Sequence, residues 1–176
     1  EKVFDECVDA ITSQVDTPKV LVDEFQNFAR LPAAQPRPDD LNRIVSEAMA
    51  SYAGTDDVVF DTDLDPDLPT VDLDREQMRR ALTNLIDNAV AAVKRRLELD
   101  ATEQPGRVTL RSAHDPLLQS VRIEVADDGI GIPQQDRRRV FEPYFSTKDR
   151  GTGLGLAIVS RIIADHHGYI RVQANE

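Results

Sequence analysis

Residues Asp127 to Leu156 read DDGIGIPQQDRRRVFEPYFSTKDRGTGLGL. Two glycine pairs, Gly129/Gly131 and Gly153/Gly155, enclose a polar segment that carries Phe141, Tyr144 and Phe145 in its middle. Just upstream, Val121, Ile123 and Val125 alternate with Arg122 and Glu124, which predicts a strand with its odd positions facing a core. Asp127 keeps that parity, so its carboxylate is expected to point to the apolar side and that of Asp128 to solvent. An inward carboxylate costs roughly several kcal/mol unless something bonds it, which calls for a ligand with donors. Downstream, Gly153-Leu154-Gly155 opens a run in which Leu156, Val159, Ile162 and Ile163 recur at helical spacing. A helix N-terminus offers free N–H groups and a partial positive charge, and glycine lets a phosphate approach the backbone. One end of the stretch suits a base and the other suits phosphates. Either glycine pair alone reads more simply as an ordinary loop, because short motifs recur by chance.

The 176 residues allow one ordinary domain plus an extra element, and a hydrophobic content of 40% is enough for a core. Lys and Arg total 21 against 32 Asp and Glu, a formal charge of -11. No basic face is evident, which argues against nucleic acid as a partner. The runs Lys94-Arg95-Arg96 and Arg137-Arg138-Arg139 read as solvated helix faces. A nucleotide triphosphate still fits so acidic a chain, because local donors and a metal hold it. Cys7 is the single cysteine, so no internal disulfide forms, in keeping with a reducing compartment. No apolar run approaches the roughly 18 residues of a membrane span, and no signal peptide is visible. Patterned sequence at both ends suggests a piece of something longer.

From the start of the chain, Phe4, Val8, Ile11, Val15, Pro18, Val22, Phe25 and Ala29 are spaced four and three alternately, the seam of a helical bundle. This predicts a helix over 3–31, kinked or divided at Pro18. Pro32, Pro36 and Pro38 mark a linker over 32–38. Asp39 or Asp40 caps a second helix with a stripe of Leu41, Ile44, Val45, Ala48 and Met49. A strand over Val58–Leu64 follows. Asp61, Asp63, Asp65 and Asp67 lack the glycine and terminal Glu of a calcium loop, and read as a strand edge and turn. Asp74 caps a long helix to about Leu99, with Met78, Leu82, Leu85, Ala89 and Val93 as its buried stripe. Asn84 and Asn88 lie one turn apart beside that stripe. Asparagine is a poor helix former; solvent-facing amides are one explanation, and amide oxygens directed at a hydrated magnesium are the other. Arg107–Ser112 and Ser120–Ala126 read as paired strands around Asp115-Pro116, and Tyr169–Gln173 as a last strand.

Asn84-Leu85-Ile86-Asp87-Asn88-Ala89 resembles the N box of sensor histidine kinases. Asp127-Asp128-Gly129-Ile130-Gly131 resembles their G1 box, Phe141-Glu142-Pro143-Tyr144-Phe145 their F box, and Gly151-Thr152-Gly153-Leu154-Gly155-Leu156 their G2 box. All four stand in the family's order. Val22-Asp23-Glu24-Phe25 with Phe28-Ala29-Arg30 is similar to the second helix of the dimerisation and phosphotransfer domain in nitrogen-regulation kinases of the NtrY/NtrB kind.

The resemblance implies an α+β Bergerat (GHKL-type) fold, a mixed sheet covered on one face by helices. It implies residues 1–31 as part of the dimerisation domain, 32–38 as linker and 39–176 as the catalytic ATP-binding domain. Its cofactors would be ATP and Mg2+, with phosphoryl transfer to a histidine and then to a response-regulator aspartate. The partners implied are a cognate response regulator and, through the bundle, a second copy of the intact protein. A cytoplasmic location is expected, with an inner-membrane anchor of the intact protein left open. By the same analogy Asp127 receives the adenine amino group, Asn88 is the magnesium contact, and Asn84, Asn88 and Lys148 are catalytic. Gly129, Gly131, Ile132, Phe145, Lys148, Thr152, Gly153, Leu154, Gly155 and Leu156 complete the nucleotide site, with 133–150 as a lid.

Several departures stand beside this. Ala91 or Ala92 occupies the place one turn after Asn88 where many members carry a basic residue, and Tyr169 replaces the usual glycine after His167-Gly168. No phosphoacceptor box is present, and the final strand usual in the family is cut short. Two other readings remain: an ATPase of the wider gyrase and Hsp90 superfamily, which expects a glutamate where Asn84 stands, and a non-catalytic nucleotide-sensing or docking module.

Overall fold

The computed structural model describes residues 31–100, 104–147 and 151–174. Apart from Leu31, the expected bundle helix lies outside the described residues, and so does Lys148. The chain folds as β1 (Arg37–Asp39), α1 (Leu41–Ala50), β2 (Val58–Leu64), β3 (Val71–Leu73), α2 (Arg75–Asp100), β4 (Gly106–Asp115), β5 (Ser120–Asp127) and α3 (Gly155–Asp165). A three-stranded sheet has the order β2-β4-β5, with β2 and β4 parallel and β4 and β5 antiparallel. The expected mixed sheet is therefore present. β1 and β3 form a separate antiparallel ribbon. Arg37 and Pro38, the end of the expected linker, thus belong to a strand.

The inward face of β4 carries Val108 and Leu110, both fully buried, whereas Arg107 and Arg111 on the other face pair with Asp61 and Glu124. Helices cover the inward face. Leu41, Ile44, Val45 and Ala48 of α1 and Met78, Leu82, Ile86, Ala89 and Val93 of α2 share one core with β2 and β4. A second cluster joins Leu31 and Ala81 to Leu154, Ile158, Val159 and Ile162, with Leu85 packed against it. Because α2 lies between two clusters, it buries a wider arc than the single stripe expected, including Ala81 and Ile86.

The helix starts follow from their caps. Asp40 accepts from the N–H of Arg43 at 3.2 Å, and Asp74 Oδ1 from that of Gln77 at 3.1 Å. The Asp74 Oδ2 atom also accepts from Gln35 N at 2.9 Å, and Gln77 Nε2 donates to Pro32 O at 2.9 Å. The start of α2 thus binds the segment leading into β1. His166, just past α3, accepts at Nε2 from Asp74 N at 2.8 Å, and its Nδ1 faces Ile162 O at 2.7 Å.

Three expectations are corrected. Tyr169–Gln173 is not a strand: Ile170 packs against the second cluster, and Tyr169 is exposed. A strand requires a ladder, and none forms at these five residues. Arg137-Arg138-Arg139 lies in successive turns, not on a helix. Arg96, finally, is not a solvated helix residue, being 22% exposed and paired with Asp128.

Candidate functional site

Helix α2 is the floor of the site. The Nδ2 atom of Asn84 donates to Arg80 O at 3.1 Å, and that of Asn88 to Asn84 O at 2.8 Å. Each amide nitrogen is turned back onto the helix's own carbonyls, which leaves the amide oxygen as the outward group. Both side chains are part-buried. A Cβ placed on Gly155 would stand 3.1 Å from Asn84 Oδ1 and 3.8 Å from Asn88 Nδ2. The N-terminus of α3 therefore abuts both asparagines, and glycine keeps the space between them open. Leu154, fully buried in the second cluster, anchors that terminus.

The far wall is the end of β5. Asp127 is half-buried, with Oδ1 accepting from Gly129 N at 2.9 Å. Burial pushes its pKa above the ordinary 3.8; the Gly129 N–H pulls it down, and the charge of Asp128 adds to the rise. The inward parity read from the alternation is what this desolvation reflects. Gly129 lies directly on α2: an added Cβ would be 2.5 Å from the carbonyl carbon of Ala92 and 2.6 Å from its Cβ. Ile130 N donates to Ala92 O at 3.3 Å. Gly131 takes the left-handed φ of +68° with open space around it, so its conformation rather than its packing demands glycine.

The third wall joins the F-box and G2 residues. Tyr144 N donates to Gly153 O at 3.0 Å. Gly153 has φ of +70°, and a Cβ there would be 2.6 Å from the Tyr144 carbonyl carbon. Tyr144 itself adopts φ of +66°, so each left-handed residue depends on the other. Arg139 stacks over Phe145 at 4.6 Å. Thr152, Ile132 and Leu156 are half-buried.

The structure brings Asn84, Asn88 and Gly155 together at one end and Asp127 and Gly129 at the other. The connecting track is Asn84, Asn88, Ala92 and Arg96, one residue per helical turn. From Asn84 to Ala92 it runs about 12 Å at 1.5 Å per residue. The sequence singled out Ala91 or Ala92 one turn after Asn88 only as a place without a basic residue; the four-residue step also leads to Ala92 as the seat of Gly129, and then to Arg96.

The donor set fits a nucleotide with a hard divalent ion. Glycines leave cradles that a Cβ would fill beside an amide pair and a desolvated carboxylate. Among the described residues no group of three His, Cys, Asp or Glu side chains forms a metal cage. An ion held here by amide oxygen, water and phosphate is the magnesium pattern. Among the same residues, no helix is long and apolar enough to cross a membrane.

Residues 73–176 match the family described as histidine kinase-, DNA gyrase B- and HSP90-like ATPases. The chain is 36% identical over 172 residues to nitrogen regulation protein NtrY of Azorhizobium caulinodans, covering 97% of this chain and 22% of NtrY. It is 30% identical over 183 residues to the sensory histidine kinase/phosphatase NtrB of Rhodobacter capsulatus, covering 96% of this chain and 49% of NtrB. Among solved structures it is similar to full-length ShkA in complex with AMPPNP, with a TM-score of 0.75 and 29% identity over 97% of this chain and 35% of ShkA. The chain spans less than half the length of each.

Proposed function

Since the chain belongs to the histidine kinase-, DNA gyrase B- and HSP90-like ATPase family, we propose that it is the ATP-binding catalytic part of a two-component sensor histidine kinase of the nitrogen-regulation kind. The observation that carries this is the track along α2, with an amide pair under a glycine-opened helix terminus at one end and a desolvated carboxylate at the other. Asp127 accepts from the amino group of adenine. Gly129 lets that loop lie on Ala92, so the base is held close to α2. At the other end the N–H groups that open α3 receive phosphate oxygens. The amide oxygen of Asn88, with Asn84 beside it, would hold a hydrated magnesium ion, which would neutralise charge on the phosphates. By the resemblance, Lys148 belongs to the lid over them.

The residues themselves position and exclude; none is a nucleophile. The acceptor is an imidazole nitrogen of the dimerisation domain. It attacks the γ-phosphorus, the bond to the β–γ bridging oxygen breaks, and ADP leaves. None of the three histidines in this chain suits that role: His166 has a partner at each ring nitrogen, while His114 and His167 lie in the β4–β5 hairpin and beyond α3. Relay to a response-regulator aspartate and dimerisation through the bundle belong to the intact protein. A GHKL-type hydrolase is the weaker reading, because Asn84 carries no base to activate water.

The test is incubation with γ-radiolabelled ATP and magnesium, with and without a helix hairpin bearing the acceptor histidine. Acid-labile label on the hairpin and none on the chain alone is expected. Stable label on the chain alone, or release of phosphate with no label on the hairpin, would overturn the reading.

A further inference from the structure

We infer that Arg96 and Asp128 form a positioning pair that sets the Asp127 carboxylate for its base, and so determines the preference for adenine. The inference rests on the reading that Asp127 accepts from the adenine amino group. Asp128 is the residue between Asp127 and Gly129, and it is held from two sides. Its Oδ1 accepts from Arg107 N at 2.9 Å, and its own N–H donates to Arg107 O at 3.2 Å, which fastens it to the start of β4. Its Oδ2 lies 3.2 Å from Arg96 Nη2, which draws it towards α2. Arg96 is the next step of the track that carries Asn84, Asn88 and Ala92.

Space for the pair is built in. A Cβ on Gly106 would fall 2.0 Å from Val93 Cγ1 and 3.2 Å from both Arg96 Nη2 and Asp128 Oδ1. Gly106 N in turn donates to Asp57 O at 2.9 Å, so the node is tied back to the turn before β2. Arg96 is buried enough that its Nε atom has no hydrogen-bond partner, a cost that a freely solvated arginine would avoid. Because Asp128 is 47% exposed, its ion pair with Arg96 contributes little to stability, so the value of this pair lies in geometry. Hydrogen bonds weaken steeply with misalignment. If Asp128 is released from α2, the backbone between Asp127 and Gly129 shifts, and with it the Gly129 N–H that holds Asp127 Oδ1, so the carboxylate is misaligned while the phosphate end of the site is untouched.

Calorimetry with ATP and with purine riboside 5′-triphosphate, which lacks the 6-amino group, tests this on the wild-type chain and on Asp127→Ala, Arg96→Gln, Asp128→Asn and the Arg96→Gln/Asp128→Asn double variant. Arg96→Gln and Asp128→Asn should each weaken ATP about three- to tenfold, with the double variant no worse than either single one. Affinity for the purine riboside analogue should be unchanged. Thermal melts identify any variant that unfolds, and the remaining single variant then decides. Equal losses for both nucleotides would make the pair merely structural and overturn the inference. A wild-type preference for ATP that is lost in Asp127→Ala but kept in both pair variants would also overturn it, leaving the base assignment intact. Absence of that preference in the wild type, or its survival in Asp127→Ala, would instead overturn the base assignment and the inference with it.

Discussion

Gly129→Ala is the substitution that most directly tests how the base end of the site is built. The new Cβ would lie 2.5 Å from the Ala92 carbonyl carbon, 2.6 Å from Ala92 Cβ and 2.7 Å from Asp127 Oδ1. Two of these contacts are with α2, which is packed between two clusters and has no room to retreat. The loop must lift instead, breaking the bond from Ile130 N to Ala92 O and disturbing that from Gly129 N to Asp127 Oδ1. Overpacking of this kind costs about 1–3 kcal/mol of stability. Displacing Asp127 removes a hydrogen bond to a charged group, roughly 1.5–3 kcal/mol, which corresponds to about a ten- to hundredfold loss of ATP affinity. Gly131→Ala is the control: its Cβ would meet nothing within 4 Å, so it pays only the left-handed backbone cost of about 1–2 kcal/mol and should retain most ATP binding. Ala92→Gly should not rescue Gly129→Ala, because the nearest atom belongs to the backbone. Calorimetric titration with ATP and magnesium, beside thermal melts to establish folding, reads all three. Wild-type affinity in a folded Gly129→Ala variant, or equal losses at Gly129 and Gly131, would refute the reasoning.

Asn88→Ala should weaken ATP mainly when magnesium is present; a loss of the same size in EDTA would assign Asn88 to structure alone. Burial raises the Asp127 pKa above 3.8, so its ionised form opposes folding at neutral pH, and that penalty is relieved as pH falls through the raised pKa. ATP binding calls for the ionised acceptor, so affinity should decline as pH falls through that same raised pKa. Titrations across it should show the decline in the wild type and not in Asp127→Ala; identical pH profiles would contradict the assignment. His166→Ala leaves Asp74 N–H without its acceptor and should cost about 1–3 kcal/mol, read as a lower urea midpoint. An unchanged midpoint would show that water replaces the ring.

Local patterns carried most of the architecture. The strand-like run Val58–Leu64, the stripe from Leu41 to Met49 and the caps at Asp40 and Asp74 each specify an element from residues that are near neighbours in sequence, and the structure has those elements. The inward parity of Asp127 was legible for the same reason, since side-chain direction along a strand alternates by construction. Gly129 and Gly153 marked where two backbone segments approach each other closely, at Ala92 and at Tyr144. Which α2 residues meet those glycines was decided only by the tertiary fold. Ala92 lies under Gly129, and Arg96 reaches Asp128, because the end of β5 crosses α2 at that turn, and no periodicity encodes a crossing point. The same holds for Tyr169–Gln173, which reads as a last strand while Ile170 found its partners in the cluster of α2 and α3. Propensity acts on residues within a few positions of one another. A ladder, an ion pair or a glycine seat depends on what another part of the chain places opposite, and that is settled only when the layers pack.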